Sequence, residues 1–282
     1  MNSEEILVAL AIKCNGDWEN IMNTLNLKDR DERYASSGME AWIEDLDLEK
    51  CLEIAKNSNF KYTTIVSDDY PEHLKQIHMP PFVLFYYGDL SLLSNIAKCV
   101  SVVGSRECSE YGETMTRNLV RSICEQYVIV SGMARGIDTV AHQTAINYGG
   151  KTIAVLGGGI DFCYPPSNLP LYEELKRNHL VISEYPGSVN PLPHYFPRRN
   201  RIIAAISRAT LVTEANAHSG TLTTVNFALQ NNRDIMCVPY PAGLGSECNR
   251  LIQFGGCLVE TGEDIEKVLN PTNFPENNFP FC

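Results

Sequence analysis

The chain has no C-x-x-C pair, no H-x-H or H-x-x-x-H spacing, and no uninterrupted apolar run approaching the ~18–20 residues that span a bilayer. Each absence removes a class of protein. The ten cysteines are scattered through predicted strands and helices, so they are expected as reduced thiols packed like small hydrophobes, not as disulfides or zinc ligands. The six histidines, His73, His78, His142, His179, His194 and His218, offer no ligand pair, and neither metal nor cofactor is expected. The start Met1-Asn2-Ser3-Glu4-Glu5 is acidic where a signal peptide is basic. A cytoplasmic protein with no membrane partner follows. Also missing are G-x-G-x-x-G and G-x-x-x-x-G-K-[ST], and no lysine follows a glycine loop where a triphosphate would need it, which disfavours triphosphate hydrolysis.

Three glycine-bearing turns are present, each directly after a short apolar run: Val102-Val103-Gly104-Ser105-Arg106, Val128-Ile129-Val130-Ser131-Gly132 and Ile153-Ala154-Val155-Leu156-Gly157-Gly158-Gly159. Successive parallel strands end at the same sheet edge, so these turns are expected to converge on one crevice of bare backbone N–H groups, an anion site. A glycine after a strand also serves a tight turn with nothing bound. Three such turns in register favour the site.

Net charge is −11, from 23 Lys/Arg against 34 Asp/Glu, and a polyanion repels nucleic acid. The distribution changes that conclusion. Residues 1–98 hold 9 basic and 17 acidic side chains and residues 260–282 hold 1 and 5, leaving 13 and 12 for residues 99–259. Within this neutral region Arg106, Arg135 and the run Arg198, Arg199, Arg201 lie beside predicted strand ends or helix starts. Such a run on its own is as often a solvated surface, but beside backbone anion sites it points to phosphate.

The front of the chain reads as short helices, 4–13 stopped by Asn15-Gly16, a second capped by Asp17, and a third over 40–56 with Trp42, Leu46, Leu52 and Ala55 on one stripe. Residues 1–60 are therefore expected as a small helical domain of the SAM-like kind, and 61–270 as the main domain. Residues 81–89 suggest a strand added to the main sheet. From Cys99 onward strands at 100–103, 128–130, 152–156, 180–183, 210–213 and 235–238 alternate with helices at 110–126, 137–148, 169–176, 199–206 and 221–230. That alternation gives an α/β, extended Rossmann-like, doubly wound and mainly parallel sheet. Residues 271–282 read as a tail.

Catalytic constellations are thin. Asp138 and His142 sit four apart on one helix face, but Asp138 in a first turn complements the helix dipole. Glu214-Ala215 ends a strand shortly before Ser219-Gly220-Thr221, whose amides are expected to face the same crevice. No nucleophile and base are paired as in G-x-S-x-G hydrolases. No catalytic residue is assigned.

Gly104-Ser105-Arg106 with Tyr111-Gly112, Ser131-Gly132-x-Ala134-x-Gly136-Ile137-Asp138 with Ala141-His142, Tyr164-Pro165-x-x-Asn168, Phe196-Pro197-x-Arg199-Asn200-Arg201 and Glu214-Ala215 with Ser219-Gly220-Thr221-Leu222 follow one another in a fixed order. Together they resemble the DNA-processing protein A (DprA, or Smf) family over roughly residues 65–260. The resemblance implies single-stranded DNA as ligand, the RecA recombinase as partner in natural transformation, a homodimer, and no nucleotide cofactor. On that basis Ser105, Arg106, Gly132, Gly136, Gly157 and Gly158 are expected in a phosphate cradle completed by Ser219, Gly220 and Thr221, with Arg199 and Arg201 on the strand's flank. Asn200 is expected to orient the loop. Tyr164 is placed either to stack on a base or to pack inward. Residues 250–254 and 257–259, including Ile252 and Leu258, are apolar enough for a dimer or partner surface, or for ordinary sheet-edge packing. In two respects the chain departs from the family pattern: Pro166 stands where a basic residue is frequent, and only an acidic tail follows Leu269, so duplex binding through a winged-helix module is not expected. The rival class is a Rossmann-like enzyme of the LOG type acting on nucleoside monophosphates, whose P-G-G-x-G-T-x-x-E signature is missing.

Overall fold

The computed structural model describes residues 1–25, 47–217, 219–243 and 246–273. Its centre is a nine-stranded sheet of β1 (Lys61–Thr64), β2 (Val83–Gly88), β3 (Cys99–Gly104), β4 (Val128–Ser131), β5 (Thr152–Val155), β6 (Leu180–Ser183), β7 (Ala209–Glu214), β8 (Asp234–Cys237) and β9 (Cys257–Leu258), in the spatial order 1-2-6-5-4-3-7-8-9. β1 and β2 pair antiparallel at one edge, with β2 antiparallel to β6, and every other pairing is parallel. The chain leaves β3 first toward β4 and later toward β7, so the winding reverses at β3. A crevice forms where strand order reverses in this way.

Strand residues alternate between two helical layers. Ile153 and Val155 face a core shared with α8 (Tyr195–Ala205) and α9 (Gly220–Gln230), whereas Ala154 and Leu156 face the opposite side. On that opposite side α5 (Glu110–Ile123) and α6 (Ile137–Asn147) cover the centre, and α7 (Leu169–Asn178) covers the β5–β6 end. The apolar stripe of α5 buries Leu119 and Ile123, and the Ser109 side chain caps the helix by accepting from the Gly112 N–H at 3.1 Å.

The front helices are α1 (Ser3–Lys13), α2 (Trp18–Thr24) and α3 (Leu48–Lys56). The expected third helix thus starts at Leu48; residues 40–46 of that expectation, with Trp42 and Leu46, lie outside the described residues. Leu7, Val8, Ile21 and Ala55 share one buried cluster with Phe85, Leu156 and Tyr172 of the sheet side. The Trp18 ring stacks on Phe82 and its N–H donates to the Pro80 carbonyl at 2.8 Å. Three short helices complete the order: α4 (Glu72–Lys75) before β2, and α10 (Glu247–Gln253) and α11 (Gly262–Leu269) around β9. Among the described residues no helix is long and apolar enough to cross a membrane, and no group of three or more His, Cys, Asp or Glu side chains is arranged to hold a metal. The described cysteines are free thiols.

Candidate nucleic-acid interface

The turns after β3, β4 and β5 meet at one cleft. Arg106, Gly132, Gly157, Gly158, Tyr164 and Arg199 of the sequence-selected residues line it. Ala134, Arg135, Leu156, Phe162, Pro165 and Phe196 line it as well. Of these, Arg135 carried a signal, since it is basic and lies inside the second glycine turn. Phe162 and Phe196 come from segments whose path over the sheet edge no local pattern fixes.

Arg106 is exposed, with its guanidinium 5.3 Å from the centre of the Phe196 ring, a cation–π distance that holds the charge at the cleft mouth. The Tyr164 ring is 45% exposed and lies 5.6 Å from the same ring, so it stands at the mouth and does not pack inward. A Cβ on Gly157 would sit 2.7 Å from the Phe196 ring, which explains why this turn has no side chain. Among the described residues no acceptor takes the Gly157 or Gly158 N–H. Neither Arg106 nor Arg135 has a carboxylate partner among them. Two residues with free amides and two cations with no carboxylate partner among the described residues thus line one space.

Arg199 differs from the flanking role expected of it. It is 4% exposed and enters the cleft from beneath, donating to the Gly132 and Val155 carbonyls and, at 3.1 Å, to the Asn200 side-chain oxygen. Burial pulls its guanidinium down to about 10, against the opposing attraction of Asp138. It therefore stays protonated at neutral pH. Asp138, equally buried, is pushed up by burial, while Arg199 and the backbone N–H groups of Ala134 and Gly132 hold it down. Gly132 consequently turns its carbonyl to Arg199 and its amide to Asp138, and serves the cradle as a close-approach position, since a Cβ there would lie 2.5 Å from the guanidinium.

The structure corrects the remaining assignments. Arg201 does not reach the cleft: it is 2% exposed, paired with Glu184, and donates to the Met79 carbonyl at 2.9 Å. Arg198 turns the other way, to Asp17 at 3.0 Å and Glu19 at 3.3 Å on the front helices. The physical reason is that the arginine run sits on α8, which starts at Tyr195 and not at 199 as predicted. At about 100° per residue the three side chains leave the helix in three directions. Asn200 donates to the Gly220 carbonyl at 3.2 Å, orienting the start of α9 from inside. Ser105 is buried and shapes its own turn, its carbonyl accepting the Ile137 N–H at 3.1 Å and its hydroxyl donating to the Glu107 carbonyl at 2.9 Å. Gly136, at φ +73°, lets that turn and the next meet, because a Cβ would lie 2.3 Å from the Ser105 carbonyl oxygen. Ser219, Gly220 and Thr221 begin α9 after β7, on the far side of β3 from β4 and β5, and do not line the cleft.

Two titratable groups outside the cleft, Glu214 and His142, have internal partners. Glu214 accepts from the Ser109 N–H and hydroxyl, at 2.9 and 2.6 Å, and from the Tyr240 hydroxyl at 3.0 Å. His142, pulled down to about 3 by burial, is neutral and pairs with the Thr152 hydroxyl at 2.6 Å.

A family model for DNA recombination-mediator protein A matches residues 61–270. The chain belongs to this family. It is 43% identical to the DNA processing protein DprA of Streptococcus pneumoniae over 225 residues, covering 79% of this chain and 77% of that one. It is 36% identical to the Bacillus subtilis DNA processing protein DprA over 238 residues, covering 83% and 78%. Among solved structures, the S. pneumoniae DprA superposes with a TM-score of 0.75 at 36% identity, covering 94% of this chain and 92% of that one. DNA processing protein A of Helicobacter pylori superposes with a TM-score of 0.68 at 26% identity, covering 76% and 97%. The latter structure describes that protein's single-stranded DNA binding mode. The Rossmann-like reading of the sheet agrees with both DprA structures.

Proposed function

We propose that this protein binds single-stranded DNA in the cleft at the ends of β3, β4 and β5, protects it, and loads the RecA recombinase onto it in natural transformation. The observation that carries the reading is the meeting of the unpaired Arg106 and Arg135 with the free Gly157 and Gly158 amides and the Tyr164 and Phe196 rings. Backbone N–H groups and arginines hold sugar-phosphate without reading bases, and the two rings offer a sequence-tolerant stacking surface. The role is binding and not catalysis: Glu214, Asp138 and His142 are each committed to internal partners, so a phosphate in the cleft is held and not split. The setting of such a mediator is the cytoplasm, with residues 1–60 as an appended helical domain.

Homodimerisation belongs to the same proposal. Phe254 is 81% exposed and Leu258 48%, on the sheet's β9 edge, while Ile252 is half-buried against the core and supports the patch from behind. Two linked clefts would lengthen the strand held.

Competition distinguishes a strand binder from an enzyme of nucleoside monophosphates. In fluorescence anisotropy at fixed salt, a labelled oligothymidylate is expected to bind and to be displaced by unlabelled single strand, with duplex and free thymidine monophosphate far weaker. Displacement by the mononucleotide at equal concentration, with base or phosphate released, would overturn the reading in favour of the enzyme.

A further inference from the structure

Residues 132–136 are held in a conformation that the chain does not adopt unaided. Met133, whose side chain is fully buried, has φ +63°, the left-handed region that side-chain-bearing residues avoid. Its own sequence supplies part of the restraint: the Thr139 hydroxyl donates to the Ala134 carbonyl at 2.7 Å, and the Asp138 carboxyl accepts the Ala134 N–H at 3.2 Å. A further restraint crosses from the opposite wall. The Asn168 side-chain N–H₂ donates to the Met133 carbonyl at 3.0 Å and to the Thr139 hydroxyl oxygen at 2.8 Å.

Asn168 ends the 3₁₀ turn Pro166–Asn168, three residues beyond Pro165, and leads into α7. The segment before it carries Phe162, Tyr164 and Pro165, one wall of the cleft, while residues 132–135 carry Gly132, Ala134 and Arg135, another. Asn168 itself is 7% exposed and is not among the lining residues. One buried amide therefore fastens two walls to each other, and it does so at the carbonyl of the strained residue.

We infer that Asn168 is a positioning residue for the DNA site: its two hydrogen bonds set the distance between the aromatic wall and the Arg135 wall, and so fix how many phosphates the cleft engages. The inference rests on the proposed single-strand binding. Both donors are needed, because the bond to Thr139 orients the amide and the bond to Met133 restrains the loop. An aspartate at this position has the same size and donates nothing.

The test is single-strand affinity of Asn168→Asp and Asn168→Ala, measured by anisotropy across a salt series, beside wild type and Arg106→Ala, with thermal melting of each. The expected result is about a tenfold loss of affinity for both Asn168 variants. The log–log salt slope is expected to fall by ~0.7 for each phosphate that the cleft no longer neutralises, a change that lowered stability alone does not produce. Thr139→Val, which keeps the Met133 bond and removes the bridge, provides the second variant and is expected to lose about threefold. Affinity within twofold of wild type in a folded Asn168 variant, or a loss that tracks the unfolded fraction at unchanged slope, overturns the inference. The two readings fail separately. If wild type binds no single strand, the proposed function fails; if Arg106→Ala binds as wild type does, the strand does not pass this cleft and its placement fails; if Arg106→Ala weakens binding and the Asn168 and Thr139 variants do not, only the positioning role fails.

Discussion

Arg106→Ala is expected to weaken binding of single-stranded DNA by about 1–3 kcal/mol, the scale of a charge-assisted hydrogen bond, without lowering stability. The side chain is exposed, has no carboxylate partner among the described residues, and rests on the Phe196 ring at the mouth of the cleft. Among the described residues no internal hydrogen bond is broken when it is removed. What disappears is a cation already placed where a phosphate must pass, together with its contribution to the potential that Arg199 maintains from below. Titration of labelled strand at constant ionic strength checks this, with urea unfolding as control. Unchanged affinity would show that the strand does not pass Arg106.

Arg201→Ala is expected to have the opposite profile, a loss of about 3–5 kcal/mol of stability with the affinity of each folded molecule retained. Removing one partner of a buried ion pair leaves the other charged and unpaired inside the protein. Glu184, 4% exposed, would be left buried with no guanidinium, and the Met79 carbonyl would lose its donor. The cleft would lose nothing directly, because Arg201 does not line it. Urea midpoints, and anisotropy corrected for the folded fraction, separate the two effects. A stable Arg201→Ala protein that no longer binds DNA would return this arginine to the strand's flank.

These two arginines show where the sequence is legible and where it is not. The parallel sheet can be read because each mainly apolar strand of four to six residues runs into a glycine turn and is followed by a helical stripe, a local pattern at Cys99–Gly104, Val128–Ser131 and Thr152–Val155 alike. That the three turns converge follows from the geometry of parallel strands, and Arg106, Gly157 and Gly158 follow with it. The direction in which a helical arginine points is not local. Arg198 is matched by Asp17, 181 positions earlier, Arg199 by carbonyls at Gly132 and Val155, and Arg201 by Glu184. Composition records the cations and is silent on these partners. Pro197 adds to the difficulty, since it lies in the first turn of α8, where proline is tolerated, and makes the helix look as if it begins later. Ser219, Gly220 and Thr221 obey the rule that helix starts gather at the strand ends, but their helix follows β7, across the reversal point from the cleft. Which side of β3 a later strand joins is a property of the whole sheet, and no residue near Gly220 encodes it.

Photocrosslinking of a strand carrying 5-iodouracil, followed by peptide mapping, tests most directly where the DNA lies. A base on the Tyr164 and Phe196 rings is expected to join peptides containing residues 162–165 or 195–199, with Arg106→Ala reducing the yield. Crosslinks confined to the start of α9 around Gly220, or to the front helices, would contradict a strand held between the turns of β3, β4 and β5.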